Sequence, residues 1–365
     1  MESDSVTDVA IKRHDIDEAM RLTGADMATV KQGLELHRDC LVFDAVSFPY
    51  ILEGEYFERV MAGGVNATII TTAIEDTFES AMIKIDDIRE KVASMPGRAV
   101  LAEDIDTIRR AKKENKIAVV IGFQDSKPIG EDLWKLRAFR SVGLRCLQLT
   151  YTGGNMIGDG CGERTNRGLT FGGLDLMYEM NRIGVTVDTG HCGDQTTLDA
   201  LSMSKKTPVI THSNVRAICD TMRNKNDEAL DALKKRDSVV GFTPLPIFVC
   251  RKEPPALGHY LDHIEYVIRR NGPDAVGLGL DYIEGFVERG QILPMSRLWR
   301  IRRPDVHGTL EEWFRAPFCK GLETVAKLPN VTIGMLVRGH SEQTIRGLLG
   351  ENWLRVFEES WDASM

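Results

Sequence analysis

Two histidines occupy matching positions in the stretch GVTVDTGHCGDQTTLDALSMSKKTPVITHSN, residues 184–214. Each follows a short apolar run, residues 184–188 before His191 and 208–211 before His212, and between them DQTTLDALSMSK reads as a helix opened by Asp194. A strand, a helix and a second strand make a βαβ unit, so both imidazoles emerge on one rim of a parallel sheet. Other polar residues end apolar runs in the same way: Asp44, Thr71 and Thr72, Gln124 and Asp125, Tyr151, Asp188, Thr243, and Asp281 with Glu284. Two imidazoles and several carboxylates on one rim could hold a Zn2+-type ion, which polarises a carbonyl and lowers the pKa of bound water toward ~7. Bland alternatives stand beside this. A histidine after a strand is often only a hydrogen-bonded core group, Asp188 and Asp281 could cap helices or brace imidazoles, and Cys192 fits a small buried residue.

These residues need a frame that brings the run ends together. Eight apolar runs, at 41–45, 67–72, 117–123, 146–151, 184–188, 208–211, 239–243 and 275–281, alternate with longer amphipathic stretches. Helices are clearest at 131–140, 173–182, 198–204 and 257–270. The strand runs are mostly continuous rather than alternating, as expected when both faces are covered. One pattern without a linker predicts an α/β chain folded as a single (β/α)8 TIM barrel. Residues 1–40 read as an N-terminal helical cap, 41–357 as the barrel and 358–365 as a C-terminal tail; the runs 99–102 and 331–335 fall outside the count and read as decorations. Long loops at 152–170 and 282–318 begin on the same rim, where lids form. In the second, Arg297, Arg300, Arg302 and Arg303 around Trp299 could bind an anionic substrate or belong to a solvated or subunit-contacting loop.

Composition narrows the function classes. Hydrophobic residues make up 42% and charged residues 27% of 365, the balance of a soluble protein with a large core. The net charge of −8 argues against nucleic acid and anionic membrane as partners. No apolar run approaches membrane-spanning length, and the polar N-terminus is no secretory signal. Seven irregularly spaced cysteines suggest reduced thiols and a cytoplasmic location. Neither a Walker loop nor GxGxxG is present, so nucleotide binding has no support.

The stretches LRAFRSVGLRCLQLTYTGGNMIGDG, GLTFGGLDLMYEMNRIGVTVDTGHCGDQTTLDAL, PVITHSNVRAICDTMRNKND, AVGLGLDYIEG and GLLGENWLRVF resemble the membrane (renal) dipeptidase family. These are zinc metallopeptidases on a barrel of the amidohydrolase type, and the similarity runs from about Asp44 to Phe357. The resemblance implies a homodimer and places His191 and His212 at the two histidines that share one zinc of a binuclear site with a bridging glutamate. Asp281 falls at the aspartate serving the other zinc and the attacking water, and Arg223 at the arginine that holds the substrate carboxylate. Tyr151 and Asn155 join the substrate-binding set, Tyr151 with a catalytic part.

Three positions depart from the family pattern. Val46 and Phe48 replace its His-x-Asp pair, Gln124 replaces the bridging glutamate, and Tyr151 replaces a substrate-contacting histidine. Asp125 could substitute for the glutamate only if the local register shifts. An ordinary two-zinc site is therefore not expected. Three outcomes remain open: a hydrolase of dipeptides or related small amides with one Zn2+ on His191, His212 and Gln124 or with an empty site; a metal-independent isomerase, tautomerase or lyase acting on a small amino-acid-derived carboxylate; or a barrel that only binds a ligand.

Overall fold

Continuous apolar runs form strands that are buried along their whole length, as in Phe43–Ser47 (β1), Ala67–Ala73 (β2) and Ile117–Phe123 (β4). The computed structural model describes residues 16–315 and 318–363. The other strands are Ala99–Leu101 (β3), Leu144–Gln148 (β5), Thr186–Asp188 (β6), Ile210–Ser213 (β7), Val240–Phe242 (β8) and Val276–Leu278 (β9). They run parallel in the order β6-β5-β4-β2-β1-β9-β8-β7, with β3 paired to β4 off this path. Between β6 and β7 a parallel bridge joins Asp188 to Val209, and the Val209 N–H donates to Val187 O at 2.8 Å, so the ring closes. The result is the (β/α)8 barrel expected from the sequence, with β3 as an external addition.

Alternate residues along each strand face opposite ways. Phe43, Ala45, Ile69 and Val120 pack in one cluster with Trp353 and Phe357, whereas Val42, Ile70, Val119 and Ile121 pack in the larger outer cluster. The helix Asn352–Trp361 therefore plugs the barrel floor, with Trp353, Phe357 and Trp361 stacked at 5.5 and 5.0 Å. The Trp353 indole N–H donates to Leu278 O at 3.0 Å, and a Cβ at Gly277 would lie 2.4 Å from that nitrogen, so only glycine admits the indole. Trp353→Ala is expected to cost about 3–5 kcal/mol, read as a lower denaturant midpoint at unchanged m value.

Two sequence expectations change. The helix carries on to Trp361, whose indole N–H donates to Arg145 O at 3.1 Å, so residues 358–361 are not a tail. The run at 331–335 lies in the helix Pro329–Val337, where residues 329–335 are all buried. An apolar segment buried all round has no amphipathic period to separate helix from strand. Helices Ile16–Thr23 and Met27–Asp39 pack on it through Ala19, Val30, Leu34 and Ile333. Residues 1–15 of the expected cap lie outside the described residues.

Asp44 ties β1 to the loop after β9. Its Oδ1 accepts the Leu280 N–H at 2.8 Å and the Val46 N–H at 3.2 Å, yet burial pushes the carboxyl up to about 7 from 3.8. A folded-state pKa above the unfolded one means that the Asp44 contribution is fully present below pH 3.8 and is lost as pH rises through about 7. Ionised Asp44 then costs on the order of 2–4 kcal/mol. Asp44→Asn is expected to raise the melting temperature at pH 8 and to leave it nearly unchanged near pH 4, a difference that thermal unfolding at the two pH values measures.

Candidate active site

β6 ends at Asp188, and this carboxylate holds both histidine-bearing turns. Oδ1 accepts the Gly190 N–H at 2.9 Å and the Thr211 N–H at 2.8 Å, while Oδ2 accepts the Thr211 hydroxyl at 2.6 Å. The same hydroxyl meets His212 Nδ1 at 2.8 Å. Asp188 is thus a brace for an imidazole, the second of the roles considered for it. From β5, Gln148 accepts the His191 N–H at 3.0 Å through Oε1 and donates to Gln124 O and Thr150 O. Buried Lys225 donates to Thr189 O at 2.7 Å, Cys192 O at 2.9 Å and the Thr197 hydroxyl at 3.0 Å, which fixes the turn on which His191 stands. Burial pulls its ammonium down to about 8.

The rings of His191 and His212 are 4.9 Å apart, and Tyr151 stacks on His191 at 4.2 Å. Burial, reinforced by the Arg223 charge, holds both imidazoles well below 6.5, so they are neutral at physiological pH. Arg223 is itself buried and donates to Gly190 O at 2.7 Å, but its Nε and Nη2 have no partner. His212 Nε2 is likewise buried and unpartnered. Orphaned buried donors cost free energy until an acceptor enters, so Arg223 is suited to an anionic group of a ligand.

Asp281 follows β9 with φ 51°, a left-handed conformation unfavourable for aspartate, and is anchored by its N–H to Val46 O at 3.1 Å. Burial pushes its carboxyl up to about 7 against the opposing charges of Arg223 and Arg300. Tyr151 is anchored by its N–H to Asp125 Oδ2 at 2.7 Å. Burial first, then Asp281, raise its phenol well above 10, so it keeps its proton.

Other candidates take bracing positions. Gln124 donates to the Thr71 hydroxyl at 2.9 Å, and Glu284 pairs with Arg59 at 2.9 Å. Asp125 accepts from Lys127 N, Tyr151 N and Asn155 Nδ2, so no register shift turns it inward. Asn155, expected to bind substrate, donates from Nδ2 to Asp125, Ser126 and Leu149 O and accepts from Ile157 N and Gly158 N. With both ends of its amide engaged, it shapes the loop rather than the ligand. Arg303 and Trp299 join the second long loop to the first, Arg303 donating to Gly162 O at 2.8 Å and Trp299 covering Gly153, while Arg300 donates to His307 O within its own loop.

Four site residues were missed from the sequence: Gln148, Lys225, Cys161 and His307. The Thr152 hydroxyl meets His191 Nδ1 at 3.2 Å and His307 Nε2 at 3.0 Å, and the Cys161 N–H donates to His191 O at 2.7 Å. Cys161 and His307 lie in the two long loops, and placement there was their only sequence signal.

A closed parallel barrel with paired imidazoles, a buried arginine and a carboxylate on one rim is the architecture of the amidohydrolase-type enzymes. The chain belongs to the membrane dipeptidase family (peptidase family M19), whose family model matches residues 52–291 and 315–364. Dipeptidase tcpJ of Claviceps purpurea (strain 20.1) is 28% identical over 296 residues, 80% of this chain and 61% of that protein. Dipeptidase verJ of Clonostachys rogersoniana is 27% identical over 301 residues, 81% and 69% of the two chains. This chain thus spans about two thirds or less of the length of such relatives. Among solved structures, an amidohydrolase from Pseudomonas aeruginosa superposes with a TM-score of 0.82 at 27% identity, over 90% of this chain and 99% of that one. A metallo peptidase from Rhodobacter sphaeroides, liganded with a phosphinate mimic of the dipeptide L-Ala-D-Ala, shares the fold with a TM-score of 0.73 at 20% identity, over 88% and 100%.

The family's two-zinc group does not fit these residues. Val46 is buried, and Phe48 packs edge-on to Phe286 at 5.1 Å, so the first strand offers hydrocarbon where two ligands are needed. The Gln124 amide carries no charge to bridge two cations. Among the described residues, no further cysteine, histidine or carboxylate joins His191 and His212 within 4.8 Å.

Proposed function

We propose that the protein is a dipeptidase-like hydrolase that cleaves a small amide bearing a carboxylate, a dipeptide or a close relative. The observation that carries this reading is Arg223, buried with Nε and Nη2 unpartnered beside the two histidines. Arg223 would take the substrate carboxylate in a charge-assisted pair. Asp281 would accept the proton of the attacking water and return it to the departing amine, while the Tyr151 phenol would donate to the carbonyl oxygen as it gains charge. A pocket of about 610 Å³, lined by Leu245, Ile247, Trp313 and Phe318 among others, is linked to the site through Arg300, whose charge acts on Asp281 and Tyr151, and would offer room for a substrate side chain.

No step is routed through metal. A single Zn2+ on His191 and His212 would have to take the Gln124 amide oxygen as its third protein ligand. That set contains no anionic ligand. A proton-transfer enzyme is the second reading, favoured by the replacement of three metal ligands by Val46, Phe48 and Gln124 while Arg223 remains. Assay of amine release from a dipeptide panel tests the hydrolase: saturable release is expected, and a folded protein that releases none from any member would overturn it.

A small-molecule substrate, a homodimer and a cytoplasmic location complete the proposal. Seven free cysteines support a reducing compartment, and no helix among the described residues is long and apolar enough to cross a membrane. Phe171, 88% exposed, and Met156, 53% exposed, adjoin through the Thr170 hydroxyl bond to Met156 O and give a partner copy apolar surface to cover. Phe171→Ser is expected to shift the mass in solution toward the monomer, as light scattering on an eluting sample would show.

A further inference from the structure

We infer that the protein holds one zinc-class ion at a site the family pattern lacks, formed by Cys161, His191 and His307. The donor atoms of these three buried side chains lie within 4.8 Å of one another. A tetrahedral zinc with thiolate and imidazole ligands separates its donors by roughly 3.3–3.8 Å, a spacing that three side chains gathered this closely can reach by rotamer adjustment. Each ligand arrives on a different segment and is held there by its own backbone. Cys161 stands in the loop after β5 with its N–H on His191 O at 2.7 Å, and His307 lies in the loop after β9 with its N–H on Arg303 O at 3.0 Å. His191 stands on the turn fixed by Gln148 and Lys225. The His191 and His307 rings are nearly parallel, 6.2 Å apart at 16°, and the Thr152 hydroxyl touches a nitrogen of each. That hydroxyl lies between the two rings, and the fourth position on the ion would go to water.

Charge decides between this set and the pair His191–His212. Arg223 and Lys225 act on the same pocket and disfavour a bare dication there. His191, His212 and Gln124 are neutral ligands and do nothing to offset them. The Cys161 set brings one thiolate, which cancels one of the two ionic charges, and its thiol proton passes to solvent when the ion binds. Sulfur with two imidazoles also selects zinc over magnesium or calcium. The ion would pin both long loops to the barrel rim and leave His212 Nε2 and Arg223 free for substrate. This site stands independently of the hydrolase reading.

The test uses the full chain, stripped of metal and reloaded with Zn2+ or Co2+. One ion per chain is expected by elemental analysis, with one sulfur and two nitrogens in the zinc absorption-edge fine structure and a thiolate-to-metal charge-transfer band in the cobalt form. Cys161→Ser should abolish that band, and both Cys161→Ser and His307→Gln should weaken Zn2+ binding by about 100-fold or more. His212→Ala should leave the ion bound. All three variants are first checked for cooperative thermal unfolding, and the sulfur signal of the unmutated protein decides if any fails to fold. No stoichiometric ion, an ion without sulfur, or loss in His212→Ala with retention in Cys161→Ser would each overturn the proposal. Amide hydrolysis is scored separately, so a metal-free but active protein rejects this site while sparing the hydrolase.

Discussion

Replacing Arg223 by alanine is expected to lower kcat/KM on carboxylate-bearing amides by about 100- to 5,000-fold, because a buried charge pair broken on one side costs roughly 3–5 kcal/mol. The effect should fall on substrate binding and on kcat together, since the carboxylate anchor also sets where the scissile carbonyl lies. Arg223→Lys should recover little. A lysine ammonium is a point charge without the planar fork, and Arg223 must also reach Gly190 O at 2.7 Å. The discriminating control is the carboxamide of the same substrate: wild-type protein should turn it over far less efficiently than the acid, and Arg223→Ala should treat acid and amide alike. Equal loss on both substrates in the variant would mean that Arg223 only supports the fold.

The second large effect belongs to Asp281. Asp281→Asn is expected to lower kcat by about 100- to 10,000-fold with KM changed little, the mark of a group used in proton transfer rather than in binding. The isosteric amide preserves the volume and can keep the left-handed backbone at φ 51°, which asparagine tolerates well. Loss of activity therefore cannot be assigned to a collapsed loop if thermal unfolding is unchanged. Asp281→Ala is less informative, because it also places alanine in a conformation it disfavours. A variant with full kcat would remove Asp281 from the chemistry and leave it as an anchor of the loop after β9.

The barrel was legible because its strands are short, wholly buried apolar runs separated by amphipathic helices, and that contrast survives in a single sequence. What escaped was burial without contrast. The segment 331–335 looked like a strand because residues 329–335 of its helix are all buried, which leaves no exposed face to reveal the helical period. The floor plug was only partly legible: Trp353 and Phe357 fell within the expected barrel, but Trp361, which completes their stack, fell in the expected tail.

At the site, residues that end strands could be found by position, and His191, His212, Tyr151 and Asp281 all stand on one rim with Arg223. Residues that act through long-range geometry could not. Lys225 lies in a polar stretch that looks exposed, yet it is buried and spends its three protons on the turn carrying His191. Gln148 points inward from β5 among apolar neighbours, and nothing local sets it apart. Cys161 and His307 are about 150 positions apart in two irregular loops. Asn155 failed in the other direction, since a polar residue in a rim loop looks like a ligand contact until its amide is traced to Asp125 and Leu149 O.

The most direct test of the proposed chemistry is turnover of a dipeptide in water enriched with oxygen-18, followed by mass analysis of the product. Hydrolysis by this site puts one heavy oxygen into the newly formed carboxylate, and the release should vanish in Asp281→Asn. A product of unchanged composition that has exchanged hydrogen with solvent but taken up no heavy oxygen would contradict hydrolysis and assign the rim to proton transfer.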